Sequence, residues 1–209
     1  MIFRIKLRWW ASMLATSVLL GVAWPLGGAG PLAGRFESAY TAACLGVAAG
    51  FGCMVVNFLI DRVLRLALAS YAREFNTYAI DVVRRMGFAD AVAGGLMAGV
   101  GEEPFFRGVL VGCFEQPAVG VVAAAFVFGA MHHLRWRYIS FSIWGVGEGL
   151  IFGTLYVTTG SILVPAIAHG MFDTVGFLYF ERLRDHRGQE APQDSHRVSQ
   201  EPPGTSARG

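Results

Sequence analysis

Six apolar stretches set the terms on which this chain can fold. They run roughly over 9–27, 39–60, 89–113, 118–134, 141–159 and 161–180. A bilayer core of about 30 Å takes about 20 apolar residues per helix, and each stretch comes close, the fourth being the shortest. Composition agrees with this reading. The chain is 54% hydrophobic and only 15% charged, where a soluble domain carries about 25% charged residues. The expected fold class is therefore all-α: a polytopic membrane protein of about six transmembrane helices.

The basic residues give an independent test. Arg4, Lys6 and Arg8 flank the first stretch, and Arg62, Arg65, Arg73, Arg84 and Arg85 fill the connection after the second. Arg135 and Arg137 follow the fourth, and Arg182, Arg184 and Arg187 follow the sixth, whereas the other connections hold only Arg35, Glu37 and Glu115. Positive charge on alternate loops is the positive-inside pattern, and it places both termini in the cytoplasm. Arg4, Lys6 and Arg8 before an apolar run also resemble the start of a signal peptide. No clear A-x-A site follows, which favours an uncleaved anchor.

Three regions result. Residues 1–88 hold two spans and a connection, 61–88, in which arginines alternate with apolar residues at helical spacing, as in an amphipathic helix on the membrane surface. Residues 89–180 hold four spans, and 181–209 form a polar tail, rich in Pro, Gly and Ser, that is expected to be disordered. The net charge of +2 is small, and no basic patch suggests nucleic acid as a partner. Cys44, Cys53 and Cys113 show no CxxC spacing and are expected as small buried apolar residues.

Ionisable residues at membrane depth are costly and tend to be functional. Here they are Glu102, Glu103 and Arg107 in the third span, His132 and His133 at the end of the fourth, Glu148 in the fifth, and His169 and Asp173 in the sixth. Asp90, at the edge of the third span, is expected at the interface. The polar chemistry thus belongs to the C-terminal four spans, and an intramembrane polar cavity is expected between them. Glu103 and Arg107 are four residues apart and meet on one helix face, which leaves Glu102 without a partner on its own helix. An unpaired carboxyl in such surroundings suits a general acid or base. Pro104 offers no N–H and disfavours helix at Glu103, so a bend or a helix start is expected there. His169 and Asp173 also share a face, either with the carboxyl orienting the imidazole or with both facing a ligand. Phe128 and His132 share another face, with His133 turned away. Glu148 has three readings open: a pair with Arg107, a pair with a histidine, or a place in the site.

The stretches "EEPFFR" (Glu102 to Arg107), "FGAMH" (Phe128 to His132) and "HGMFD" (His169 to Asp173) resemble, in order, the EExxxR, FxxxH and HxxxN/D motifs of the CPBP intramembrane proteases. That family, also called Abi, includes the type II CAAX prenyl endopeptidases and bacteriocin-immunity proteins. "TGSILVPAIAH" resembles the usual approach to the third motif, and the resemblance covers about residues 89–180. It implies an α-helical fold with an intramembrane catalytic cavity, Glu102 and His132 activating water, Arg107 holding Glu103, and His169 and Asp173 on the oxyanion-stabilising side. Asp173 departs from the frequent Asn and can donate a hydrogen bond only when protonated. Its alternative role is to orient His169.

The resulting expectation is an intramembrane endopeptidase with a glutamate-activated water and no cofactor. Its substrate would be a membrane-anchored protein or peptide, and its setting a bacterial cytoplasmic (inner) membrane. The alternatives are a zinc-dependent version using Glu102, His132 and His169, although the HExxH helix is absent; a silent immunity or scaffold protein; and a proton-coupled transporter, which buried Glu, His and Arg also build.

Overall fold

The computed structural model describes residues 34–36, 38–84, 86–132 and 139–190. The first apolar stretch, His133, Arg135, Arg137 and residues 191–209 lie outside them. Among the described residues all regular structure is helical.

Helix α1 (Ala39–Ala67) is capped by Ser38, whose hydroxyl accepts from the Thr41 N–H at 3.2 Å. Its burial pattern is inverted relative to a soluble helix. The small residues Ala42, Gly46 and Gly50 are buried, while Phe51, Val55, Phe58 and Leu59 are 56–65% exposed. Small residues inside and large apolar ones outside are what a helix in lipid requires, because close backbone approach rather than water exclusion drives its packing. Two described helical segments are long and apolar enough to cross a membrane, Ala39–Ala67 and Leu163–Asp185. The fourth expected span is the shorter apolar helix α4 (Pro117–Met131).

A break at Leu68 starts α2 (Ala69–Val83). The first part of the expected connection is therefore the end of α1, where Asp61 and Arg65 pair at 2.6 Å. The remainder is amphipathic, and its apolar face is laid on other helices. Phe75 meets Phe141, Trp144 and Phe180 with ring centroids 5.6–6.0 Å apart, and the Tyr71 hydroxyl donates to the Ser140 carbonyl at 3.0 Å.

Helix α3 (Phe88–Met97) starts at Gly87, whose N–H donates to the Asp90 carboxylate at 2.9 Å. It does not stop at Pro104. It continues as two wide π-helical segments, Ala98–Glu102 and Pro104–Leu110, and a tight 3₁₀ turn, Val111–Cys113. The expected bend is thus a change of helical pitch, in which i→i+5 bonding accommodates the N–H that proline lacks. This helix packs closely on α6 (Leu163–Glu190). A Cβ at Gly95 would collide with the Gly170 carbonyl, and one at Gly99 with the Ala166 carbonyl.

Helix α5 (Ile139–Thr159) packs on α4. Helix α6 extends to Glu190, so 181–190 is helical where the sequence suggested disorder. Arg184 explains much of this. It contacts Asp185 at 2.7 Å and Glu181 at 3.6 Å, and it donates to the Val83 carbonyl of α2 at 3.0 Å. Cys44 and Cys113 are exposed and Cys53 is half-buried, so the cysteines are not uniformly core residues; small apolar side chains face lipid without penalty.

Candidate active site

The π-helical segments of α3 carry the first motif. Glu103, between them, is fully buried, and its Oε1 serves two partners. Arg107 Nη1 lies 2.9 Å from it, one turn on. His169 Nδ1, from α6, donates to the same oxygen at 2.7 Å. The Arg107 contact is ionic and lies off the N–H axis; the guanidinium donates instead from Nη2 to the Gly149 carbonyl of α5 at 3.4 Å. Its carbon sits 5.1–5.7 Å from the ring centroids of Phe106, Phe128 and Phe152, within cation–π range.

His169 is buried and held on both faces. Phe152 stacks on it at 4.6 Å, and Phe128 meets it edge-on at 5.8 Å. Its Nε2 lies 3.7 Å from Asp173 Oδ2, too far for a hydrogen bond, so the two interact as charges and Nε2 keeps room for another acceptor.

His132 ends α4. Its Nδ1 donates to the Phe128 carbonyl at 2.7 Å, and its ring lies 4.4 Å from that of Phe128. This fixes the tautomer of the neutral imidazole: Nδ1 carries the proton and Nε2 is free to accept. Glu102 makes no hydrogen bond or ion pair among the described residues, yet it interacts electrostatically with His132, His169, Asp173 and Glu103. Glu148 accepts from the Trp144 indole at 2.5 Å, one turn earlier on α5. It also senses the charges of Asp173, His169 and Glu102. It therefore stands at the margin of the same cluster.

The structure thus gathers Glu102, Glu103, Arg107, His132, Glu148, His169 and Asp173 from four helices. Sequence reading missed the Glu103–His169 bond. It gave Glu103 one partner, Arg107, whereas the carboxylate bridges Arg107 of its own helix and His169 of α6. Among the described residues no group of three or more His, Cys, Asp or Glu is arranged to hold a metal ion. His169 Nδ1 and His132 Nδ1 are already committed to protein acceptors.

Comparison with known proteins follows this geometry. Residues 85–175, which include every motif residue above, match the family model described as Type II CAAX prenyl endopeptidase Rce1-like. The uncharacterized protein YpbD of Bacillus subtilis (strain 168) is 31% identical over 111 residues, 51% of this chain and 54% of that protein. The chain thus spans about half the length of that relative. No solved structure matches. Residues 85–175 of the chain are thus similar to the type II CAAX prenyl endopeptidase Rce1-like family, in line with the resemblance read from the three motifs.

Proposed function

We propose that the chain is an intramembrane endopeptidase that hydrolyses a peptide bond of a membrane-associated protein or peptide with a water activated by Glu102. The observation that carries this reading is the division of labour between adjacent carboxylates. Glu103 is locked between Arg107 and His169, while Glu102 beside it is unpaired among the described residues and within electrostatic reach of both histidines. A carboxylate free of ion pairing is the one able to take a proton.

The chemistry then balances without further groups. Water donates one hydrogen bond to His132 Nε2 and gives its other proton to Glu102 as its oxygen attacks the carbonyl carbon. Negative charge develops on the carbonyl oxygen. With Glu103 accepting at Nδ1, His169 offers an Nε2–H to that oxygen only when it carries both protons. That form would be paired by the Glu103 carboxylate at Nδ1, with Asp173 near Nε2. As the C–N bond breaks, the proton on Glu102 passes to the leaving nitrogen, giving a carboxylic acid and an amine. Asp173 in this scheme orients and balances His169. The setting is a bacterial cytoplasmic membrane with six spans and both termini inside, as the arginine distribution suggests.

The test compares the membrane proteomes of cells carrying the wild-type chain and Glu102→Gln, followed by cleavage of the protein whose processing differs, with and without a strong zinc chelator. Processing by the wild type alone, undiminished by chelator, is expected. Equal processing by both proteins overturns the assignment of Glu102. Loss with chelator that zinc alone restores overturns the metal-free mechanism.

A further inference from the structure

Helix α2 lies before residue 85, outside the segment matched by the family model, yet one of its faces converges on a single point of α5. Tyr71, Phe75 and Tyr78 are spaced i, i+4 and i+7, so they share that face. All three meet the start of α5. The Tyr71 hydroxyl donates to the Ser140 carbonyl at 3.0 Å, and that carbonyl belongs to the peptide bond leading into Phe141. The Tyr78 ring lies 4.5 Å from the Phe141 ring, and the Phe75 ring stacks on it at 5.7 Å. Tyr78 is buried. The far end of α2 is pinned in turn, because Arg184 donates to the Val83 carbonyl.

Phe141 also touches the candidate site. Its ring lies 5.8 Å from that of His132, and it thus joins α2 to the histidine. The imidazole is tied at one atom, Nδ1, through the bond to the Phe128 carbonyl. One hydrogen bond leaves a ring free to swing about the bonded atom, so its direction depends on what flanks it. Two rings do so, Phe128 at 4.4 Å and Phe141 at 5.8 Å, both within the contact range of aromatic pairs. Phe128 belongs to the same helix as His132 and moves with it. Phe141 comes from α5 and is the external reference. One turn beyond it, a Cβ at Gly145 would lie 3.7 Å from His132 Cβ and Cγ, so the imidazole rests along α5. Direction matters because Nε2 is the atom that accepts from water in the hydrolase reading, and reacting groups have to be held to within about 0.5 Å or 10–20°.

We infer that Tyr71, Phe75 and Tyr78 of α2 are positioning residues for His132: they hold Phe141 against the imidazole and so aim Nε2 at the attacking water. This deepens the hydrolase reading and rests on it. None of the three takes part in the reaction itself. Truncating the Tyr78 ring leaves space beside Phe141; Phe141 then relaxes into it, and the imidazole gains freedom while Glu102 and His169 keep their places. Misplacing a reacting group in this way lowers turnover rather than substrate affinity.

The experiment uses the full-length chain in nanodiscs with isotope-labelled histidine, so that the ring signals of His132 are read by NMR without any substrate. They are assigned by their loss in His132→Gln. Tyr78→Ala is expected to shift or broaden the His132 signals and leave those of His169 in place. Tyr78→Phe, which restores the ring without the hydroxyl, should return them to their wild-type positions. Phe75→Leu should displace them too and serves if Tyr78→Ala fails to fold. The same variants are then assayed on the protein whose processing depends on Glu102. For Tyr78→Ala, kcat should fall about 10–100-fold with KM within about twofold of wild type, and Tyr78→Phe should turn over like the wild type. His132 signals unmoved in both Tyr78→Ala and Phe75→Leu, a displacement that Tyr78→Phe does not reverse, or a loss confined to KM overturns the inference. Displaced signals with undiminished kcat remove the positioning role and leave the hydrolase. Displaced signals in a chain whose wild type cleaves nothing count against the hydrolase and leave the contact from α2 to His132.

Discussion

Glu102 and Glu103 are chemically identical neighbours with opposite expected responses to the same substitution. Glu103→Gln removes the charge that Arg107 and His169 share inside a buried, aromatic-lined space. Breaking a buried ion pair from one side costs about 3–5 kcal/mol, so this variant should melt lower in detergent and lose activity as a consequence. Glu102→Gln removes no ion pair; it should melt like the wild type while cleavage falls by at least the roughly 10²–10⁴-fold that a general base contributes. Thermal melts beside a cleavage assay decide the matter, and identical melting of the two variants would show that Glu103 holds nothing. The local half of this site was readable in the sequence, because residues four apart on a helix must meet: Glu103 with Arg107, and His169 with Asp173. The other half was not. Glu103 and His169 are 66 residues apart, and no spacing rule links them. Glu148 stayed ambiguous because its surroundings are assembled from α1, α3 and α6, and its one hydrogen-bond donor, Trp144, reads in sequence as another apolar residue.

At the scale of the helices, hydropathy and arginine spacing outlined most of what is described, including the amphipathic piece now seen as α2. Boundaries were less legible, since α1 runs on past Ile60 through an Asp61–Arg65 pair and α6 runs on through Arg184. The wide turns around Pro104 were legible only as a disturbance. A missing N–H announces that the regular pattern fails, not which pitch replaces it. What fixes α3 against α6 is the absence of side chains at Gly95 and Gly99. Gly99→Ala should therefore lower the melting temperature sharply, because its methyl would have to displace backbone. Gly52→Ala meets nothing within 4 Å and should be neutral or stabilising by about 0.5–1 kcal/mol through the lower entropy of the unfolded chain. A Gly99→Ala protein that melts like the wild type would contradict this packing.

Across the whole molecule, the contacts between chain ends sort into two sets. Arg184 reaches Val83, and Tyr71 reaches Ser140. At the opposite end Arg35 N–H donates to the Thr159 carbonyl at 3.4 Å. Arg62, Arg65, Arg73 and Arg182 belong to the segments that meet at the first end, and the proposed orientation puts that end in the cytoplasm, following the positive-inside rule. Reporter fusions at Gly30, Arg73, Arg137 and Arg187 should accordingly read outside, inside, inside and inside, and a cytoplasmic signal at Gly30 would reverse the orientation. The same architecture separates descent from folding. The segment matched by the family model ends at 175, yet α6 runs to Glu190, is anchored to α2 through Arg184, and its flank at Ile167, Ala168 and Met171 is covered by Gly46 and Gly50 of α1. The matched segment thus does not close on itself. Moved alone into another protein, it would carry the motif side chains and leave behind the α1 surface on which α6 rests.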